Sequence, residues 1–177
     1  MAKKLHLTPG KRAHRHAPSR SHDHDTLLCP QMLPIHFELL KAVFDAHGRT
    51  LEIIDVPKRD ALDAGLRYAN NDLCYPAILV TGQIVAALKS GRYDLARTSV
   101  LMVQTGGACR ATNYIAVIRR AIADAGLPRV PVVSLSAADL GEKNRFRLTP
   151  RMVGQAAAAL AIGDVLMKCL YRTRPYE

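Results

Sequence analysis

Two short stretches hold the residues most able to do chemistry. NNDLCYP runs from Asn70 to Pro76, and QTGGACR runs from Gln104 to Arg110. Each sets one cysteine, Cys74 or Cys109, in a polar or glycine-bearing loop just ahead of a helical pattern. The thiolate is the metal-binding form of cysteine, and a helix N-terminus favours it through the helix dipole. Gly106-Gly107 lets the backbone approach a bulky ligand and leaves amide N–H groups free for sulfide. Iron–sulfur clusters are held by cysteine thiolates and tuned by such hydrogen bonds. Cys29 closes the apolar run TLLC ahead of Pro30 and fits either a ligand or a small strand-core residue. Cys169, inside ALAIGDVLMKCLY, reads as a small buried hydrophobe.

Other chemistries leave weaker traces. QTGGAC lacks the Gly-Lys-Ser/Thr of a phosphate loop, and the chain has no GxGxxG. TGG at a helix N-terminus could still cradle a phosphate or a flavin. A nucleophilic cysteine with His36 as base has no support in the spacing. Four cysteines scattered through 177 residues do not make a disulfide framework, so reduced thiols or metal ligands are expected.

The elements that must position these residues follow from periodicity. TLLC (26–29), LEIIDV (51–56), TSVLMVQ (98–104) and VPVVSLS (130–136) read as short buried strands. His36 to His47 places Phe37, Leu40, Val43 and Phe44 on one helical stripe, with Gly48 as its stop. Residues 58–68 read as a short helix or turn, 78–88 as a strongly apolar helix, and 111–125 as another closing at Gly126. Thr149-Pro150 is an N-cap followed by proline at the first helical position, with the helix running to about Tyr171. Strands alternating with helices predict an α/β fold, doubly wound, with a mostly parallel sheet of about four strands and flanking helices. Ligands in such sheets bind at the carboxyl ends of the strands. Right-handed crossovers bring the strand-to-helix loops to that one edge. Cys29 and Cys109 are expected there, and Cys74 reaches it if its helix runs antiparallel to the strands.

The net charge is +10, partly concentrated in residues 1–25, which hold six basic and two acidic side chains. That segment carries almost no apolar residues and is expected to be a disordered, basic, His-rich tail. Its HDHD run, with His22 and His24, reads as a flexible tail rather than a metal site. Residues 26–177 are expected to form a single α/β domain. No basic face with interleaved aromatics points to nucleic acid. No apolar run is expected to reach the ~18–20 residues of a membrane helix, and no apolar signal region follows Lys3 and Lys4, so a cytoplasmic protein is expected.

Four blocks then carry a resemblance: PQMLPIHFELL (30–40), YANNDLCYPAILVTGQIVAAL (68–88), VQTGGACRATNYIAVIRRAI (103–122) and GDVLM…RTRPYE (163–177). From about Thr26 onward the chain resembles the C-terminal, dehydratase-like region of the large 2-hydroxyacyl-CoA dehydratase activase-related proteins of anaerobes. The resemblance implies an α/β module holding a [4Fe-4S] cluster on Cys74 and Cys109, with Cys29 as the third ligand. Asn70, Asn71, Gln104, Thr105, Gly106, Gly107 and Arg110 would surround it, Arg110 offsetting the negative charge of the ligated cluster. It implies ATP-driven, low-potential electron transfer for dehydration of 2-hydroxyacyl-CoA, with an ATP-dependent activator or other dehydratase subunits as partners. A homo-oligomer sharing a cluster between chains is one way to complete the coordination. The family members are much longer and carry an ATPase domain ahead of this region, so the chain corresponds to a fragment or split product. A non-catalytic module that only docks to larger subunits is the alternative.

Overall fold

The computed structural model describes residues 26–103, 114–128, 130–135 and 149–174. Four strands and five helices alternate along them. They are β1 (Thr26–Pro30), α1 (Pro34–Ala46), β2 (Leu51–Ile54), α2 (Lys58–Tyr68), α3 (Tyr75–Lys89), β3 (Thr98–Val103), α4 (Tyr114–Asp124), β4 (Val132–Leu135) and α5 (Pro150–Thr173), with a single 3-10 turn at Leu95–Arg97. The strands form one parallel sheet in the order β2-β1-β3-β4. The expected α/β fold is therefore observed.

The differences from expectation are local. α1 starts at Pro34 rather than His36, because proline fits a first turn where its missing N–H costs nothing. α3 starts at Tyr75, with Pro76 in its first turn, rather than at Ile78. β2 ends at Ile54, short of Val56. The expected helical start at 111–113 and the loop 104–110 lie outside the described residues, as do the tail 1–25 and residues 136–148. Gly48 and Gly126 follow α1 and α4 with φ of 69° each, the left-handed geometry that ends helices at low cost in glycine.

Successive strand residues face opposite sides of the sheet. Leu28, Ile54, Val100, Met102 and Val132 point to one face, where α3 and α4 cover them with Val80, Ile84, Ile115 and Ile118. Leu27, Cys29, Leu51, Leu101 and Val133 point to the other, beneath Phe37 and Phe44 of α1 and Met152 of α5. The sheet is thus buried on both sides, which is why its strands read as continuous apolar runs.

Two helices overrun the sheet at the carboxyl ends of the strands. Gln31, just past β1, is clasped by Gln83 of α3: its N–H donates to Oε1 at 3.0 Å, and Nε2 donates to its carbonyl at 3.5 Å. Tyr75 lies eight residues before Gln83, so the start of α3 stands about 12 Å beyond that level at 1.5 Å per residue. On the other face, His47 at the end of α1 meets Gln155 at 2.6 Å, and His36 at its start meets Asp164 at 3.0 Å. α5 therefore runs antiparallel to α1 and continues for nine residues past it, about 13 Å.

Among the described residues α5 is the one helix long and apolar enough to cross a membrane by length and composition, with a mean hydropathy of 1.4. Only Met152, Ala159 and Gly163 are buried along its 24 residues. Cys169, expected in a core, is exposed, because it lies beyond the end of α1 with no described element beneath it.

Candidate functional site at the carboxyl edge of the sheet

Cys74 is the N-cap residue of α3, and its carbonyl accepts from the N–H groups of Ala77 and Ile78. No side chain caps this terminus. The turn before it is fixed by Asn70, whose Oδ1 accepts from Asp72 N at 3.0 Å and whose carbonyl accepts from Leu73 N. Asn71 is exposed in the same turn. This side-chain-to-backbone closure is the usual work of asparagine in turns. Here it aims an exposed thiol at the rim of the strand ends. The Cys74 Sγ lies 3.9 Å from the Tyr114 hydroxyl at the first turn of α4.

That contact joins the two cysteine stretches at one end. Tyr114 is five residues after Cys109, and β3 ends at Val103, one residue before Gln104. Cys109 thus lies in the connection between the carboxyl end of β3 and the residue touching Cys74. Cys109, Gln104, Thr105, Gly106, Gly107 and Arg110 themselves lie outside the described residues.

Cys29 does not meet the expectation of a third ligand. Its side chain points to the α1/α5 face, among Phe37, Phe44, Leu101 and Met152, whereas Cys74 stands with α3 and α4 on the opposite face. It is 2% exposed. Burial pushes its thiol up to about 12, so the thiolate a metal requires is disfavoured there. In this arrangement Cys29 is a small core residue. Among the described residues no three His, Cys, Asp or Glu side chains converge as a metal site.

Sequence reasoning missed several polar groups at the same edge. Gln31 Oε1, in the connection from β1 into α1, and His36 Nδ1, in the first turn of α1, are buried without a hydrogen-bond partner. A buried acceptor left unpaired costs about 1–3 kcal/mol, so native folds rarely keep one without a reason. β1 lies between β2 and β3, so successive crossovers leave it in opposite directions, and that switch is where parallel sheets open a crevice for ligands. Nothing in the local pattern of PQMLPIH marks these atoms, because their burial depends on α3 and α5 arriving from far along the chain. His36 pairs with Asp164 on the face away from Cys74 and is not placed as a base for that thiol.

A cleft of about 610 Å³ opens at the other edge, where the strands begin, lined by Thr26, Thr50, Glu52, Arg92, Tyr93 and Arg97 among others. Its polar groups serve each other: Tyr93 donates to Glu52 at 3.0 Å, and Asp94 accepts from Ala96 N at 3.0 Å. Burial and the adjacent Glu52 carboxylate both push the Tyr93 hydroxyl up, away from any role as a base. Cys74 and the unpaired acceptors lie at the opposite edge, which directs attention there.

Compared with known proteins, the chain matches no family model, no curated protein and no solved structure.

Proposed function

We propose that the chain is an iron–sulfur-binding α/β module of a 2-hydroxyacyl-CoA dehydratase/activase system, with Cys74 and Cys109 holding a [4Fe-4S] cluster at the carboxyl edge of the sheet. The observation that carries this reading is the placement of Cys74. It is an exposed thiol at a helix N-terminus, touching the residue that leads out of the Cys109 stretch. The positive end of the α3 helix dipole favours negative charge at this position. Tyr114 offers a hydroxyl that could donate toward a ligated sulfur, and Asn70 holds the turn rigid. Cys74 fits an accessible thiolate ligand and Cys29 does not, while Cys109 lies outside the described residues. When bound, such a cluster supplies one-electron transfer at low potential. The residues of this chain would position it, shield it on the α3/α4 side and leave the rim open to an ATP-dependent activator or another dehydratase subunit. The same reading places the protein in the cytoplasm.

A second reading, a non-catalytic module that docks to larger subunits, is favoured by the exposed apolar length of α5.

Anaerobic purification followed by absorbance, iron and sulfide measurement separates the two. Broad absorbance near ~400 nm with stoichiometric iron supports the cluster. Cys74→Ser is expected to remove the iron while leaving the fold intact, and Cys29→Ala to retain it. A folded, colourless protein that also fails reconstitution sinks the cluster reading and leaves the docking module.

A further inference from the structure

The cleft at the amino edge of the sheet holds hydrogen-bond donors that the fold does not use. Its floor is a row of threonines. Thr26 pairs in register with Thr98, and Thr50 precedes Leu51, the partner of Leu27. Thr50, Thr26 and Thr98 therefore stand side by side where β2, β1 and β3 begin, and all three line the cleft. Adjacent strands lie ~4.8 Å apart, which sets the spacing of the row. Side chains alternate along a strand, so Thr26 and Thr98 share the face of Leu28 and Val100, the side that α3 covers. The wall is the connection from α3 to β3. Gly91, at φ 73°, turns the chain after α3. Asp94 then fixes it: Oδ1 accepts from Ala96 N at 3.0 Å, and the carbonyl accepts from Arg97 N at 2.9 Å and from the Thr98 hydroxyl at 2.7 Å. Arg92 and Arg97 stand at the two ends of this held segment, and both line the cleft.

Pairing within the lining is one-sided. Glu52 accepts from the Tyr93 hydroxyl, and Asp94 accepts from a backbone N–H, so neutral donors hold both carboxylates. Among the described residues the Arg92 and Arg97 side chains have no hydrogen bond or ion pair, although both carboxylates line the same cleft. Among the same residues the Thr26 and Thr50 hydroxyls have no partner. The groups left over are two guanidinium forks and two hydroxyls, all able to donate into one space.

We propose that this cleft binds the phosphate group of a small phosphate monoester. A phosphate presents three strong acceptor oxygens and close to two negative charges. Guanidinium forks match such oxygens in pairs. Arginines at both ends of the wall, with hydroxyls along the floor between them, suit an acceptor that takes bonds from several sides. A single carboxylate has two oxygens and one charge, which one arginine satisfies. The cleft volume of about 610 Å³ lies within the range of small-molecule sites and leaves room for the esterified group beside the phosphate. Glu52 and Asp94 balance the two arginines in formal charge, so the lining does not suit a long polyanion such as nucleic acid. The site lies at the opposite end of the strands from Cys74 and is separate from the proposed cluster rim.

The test is isothermal titration calorimetry of the full chain with inorganic phosphate and ribose 5-phosphate as probes, and with ribose and malate as controls. Both phosphates are expected to bind at one site per chain, malate more weakly and ribose not at all. Arg92→Met and Arg97→Met are each expected to weaken ribose 5-phosphate by about tenfold or more, the loss of a charge-assisted hydrogen bond. Thr50→Val is expected to weaken it less, and Glu52→Gln to tighten it by removing a negative charge from the lining. These four side chains are exposed, so each variant should keep the wild-type circular dichroism spectrum. Arg151→Met, an exposed arginine on α5, is expected to bind as wild type does. The proposal is overturned if neither phosphate binds, or if malate binds as tightly as ribose 5-phosphate. It is also overturned if the Arg92→Met/Arg97→Met double variant keeps wild-type affinity, which would move the phosphate to the basic residues of 1–25. None of these readouts depends on iron, so the cluster reading stands or falls separately.

Discussion

α3 and α5 are both apolar helices, yet the fold treats them oppositely. Nine of the 15 residues of α3 are buried, and three of the 24 residues of α5 are. α3 lies between the sheet and α2, so neighbours cover it on two sides. α5 leans on α1 alone and then runs past it. Apolar composition therefore sets how much surface a helix must cover but not what covers it. For α3 the answer lies within the chain. For α5, α1 supplies it over the Met152, Ala159 and Gly163 row alone among the described residues.

The sharpest way to break this contrast is at the seam between α2 and α3. A Cβ on Gly82 would land on the carbonyl oxygen of Ala61 and crowd Gly65 N, and one on Gly65 would meet the carbonyl of Ile78. These are backbone atoms, which cannot swing aside. Gly82→Ala is expected to cost ~3 kcal/mol or more, toward the upper end for overpacking, measured by urea denaturation. If it costs less than 1 kcal/mol, the two helices are not in this close contact and α3 is less enclosed than described.

The corresponding glycine on α5 should be more forgiving. A Cβ on Gly163 would come within 2.5 Å of the His36 ring, which is a side chain and can tilt. Gly163→Ala is expected to cost about 1–2 kcal/mol and to disturb the His36–Asp164 pair. The His36 ring resonances should move, with little change in the α3/α4 core. A loss as large as that for Gly82→Ala would mean α5 is held more tightly than its three buried residues suggest.

How much of this was legible in the sequence follows from the same contrast. The strands and helices were readable because each buried face repeats at its own period, and because Pro30, Pro57, Gly48 and Gly126 punctuate them. The apolar run from Ile78 to Leu88 correctly pointed to a helix, which the fold extends back to Tyr75. Cys169 misled for a physical reason: ALAIGDVLMKCLY has the composition of a core helix, but α1 is only 13 residues long and ends before it reaches Cys169. At the site, the placement of Cys74 was foreseeable once its helix was known to run back against the strands. The side of the sheet chosen by Cys29 was not used in the reading, although alternation along TLLCP settles it once Leu28 is assigned to the α3 face. The unpaired acceptors of Gln31 and His36 could not be read at all, since they depend on helices 52 and 128 residues further along the chain closing over them.

The smallest expected effect tests Cys29 against Cys74. A folded thiol pushed up to about 12, against 9.0 for an ordinary one, stays neutral while the unfolded chain ionises. Below pH 9 both states are protonated and the shift contributes nothing to the pH dependence. As pH rises above 9 the unfolded state alone loses its proton, so stability falls by roughly 1 kcal/mol per pH unit until the folded thiol also ionises near 12. Other groups titrate in this range, so the quantity to measure is the difference between wild type and Cys29→Ala from pH 8 to pH 10, by urea denaturation at each pH. Cys29→Ala should start about 1 kcal/mol less stable, through the small cavity it leaves. The gap should then close as the alkaline penalty on wild type grows. A gap that stays constant for Cys29→Ala would mean the thiol reaches solvent, and Cys29 would return as a candidate ligand beside Cys74.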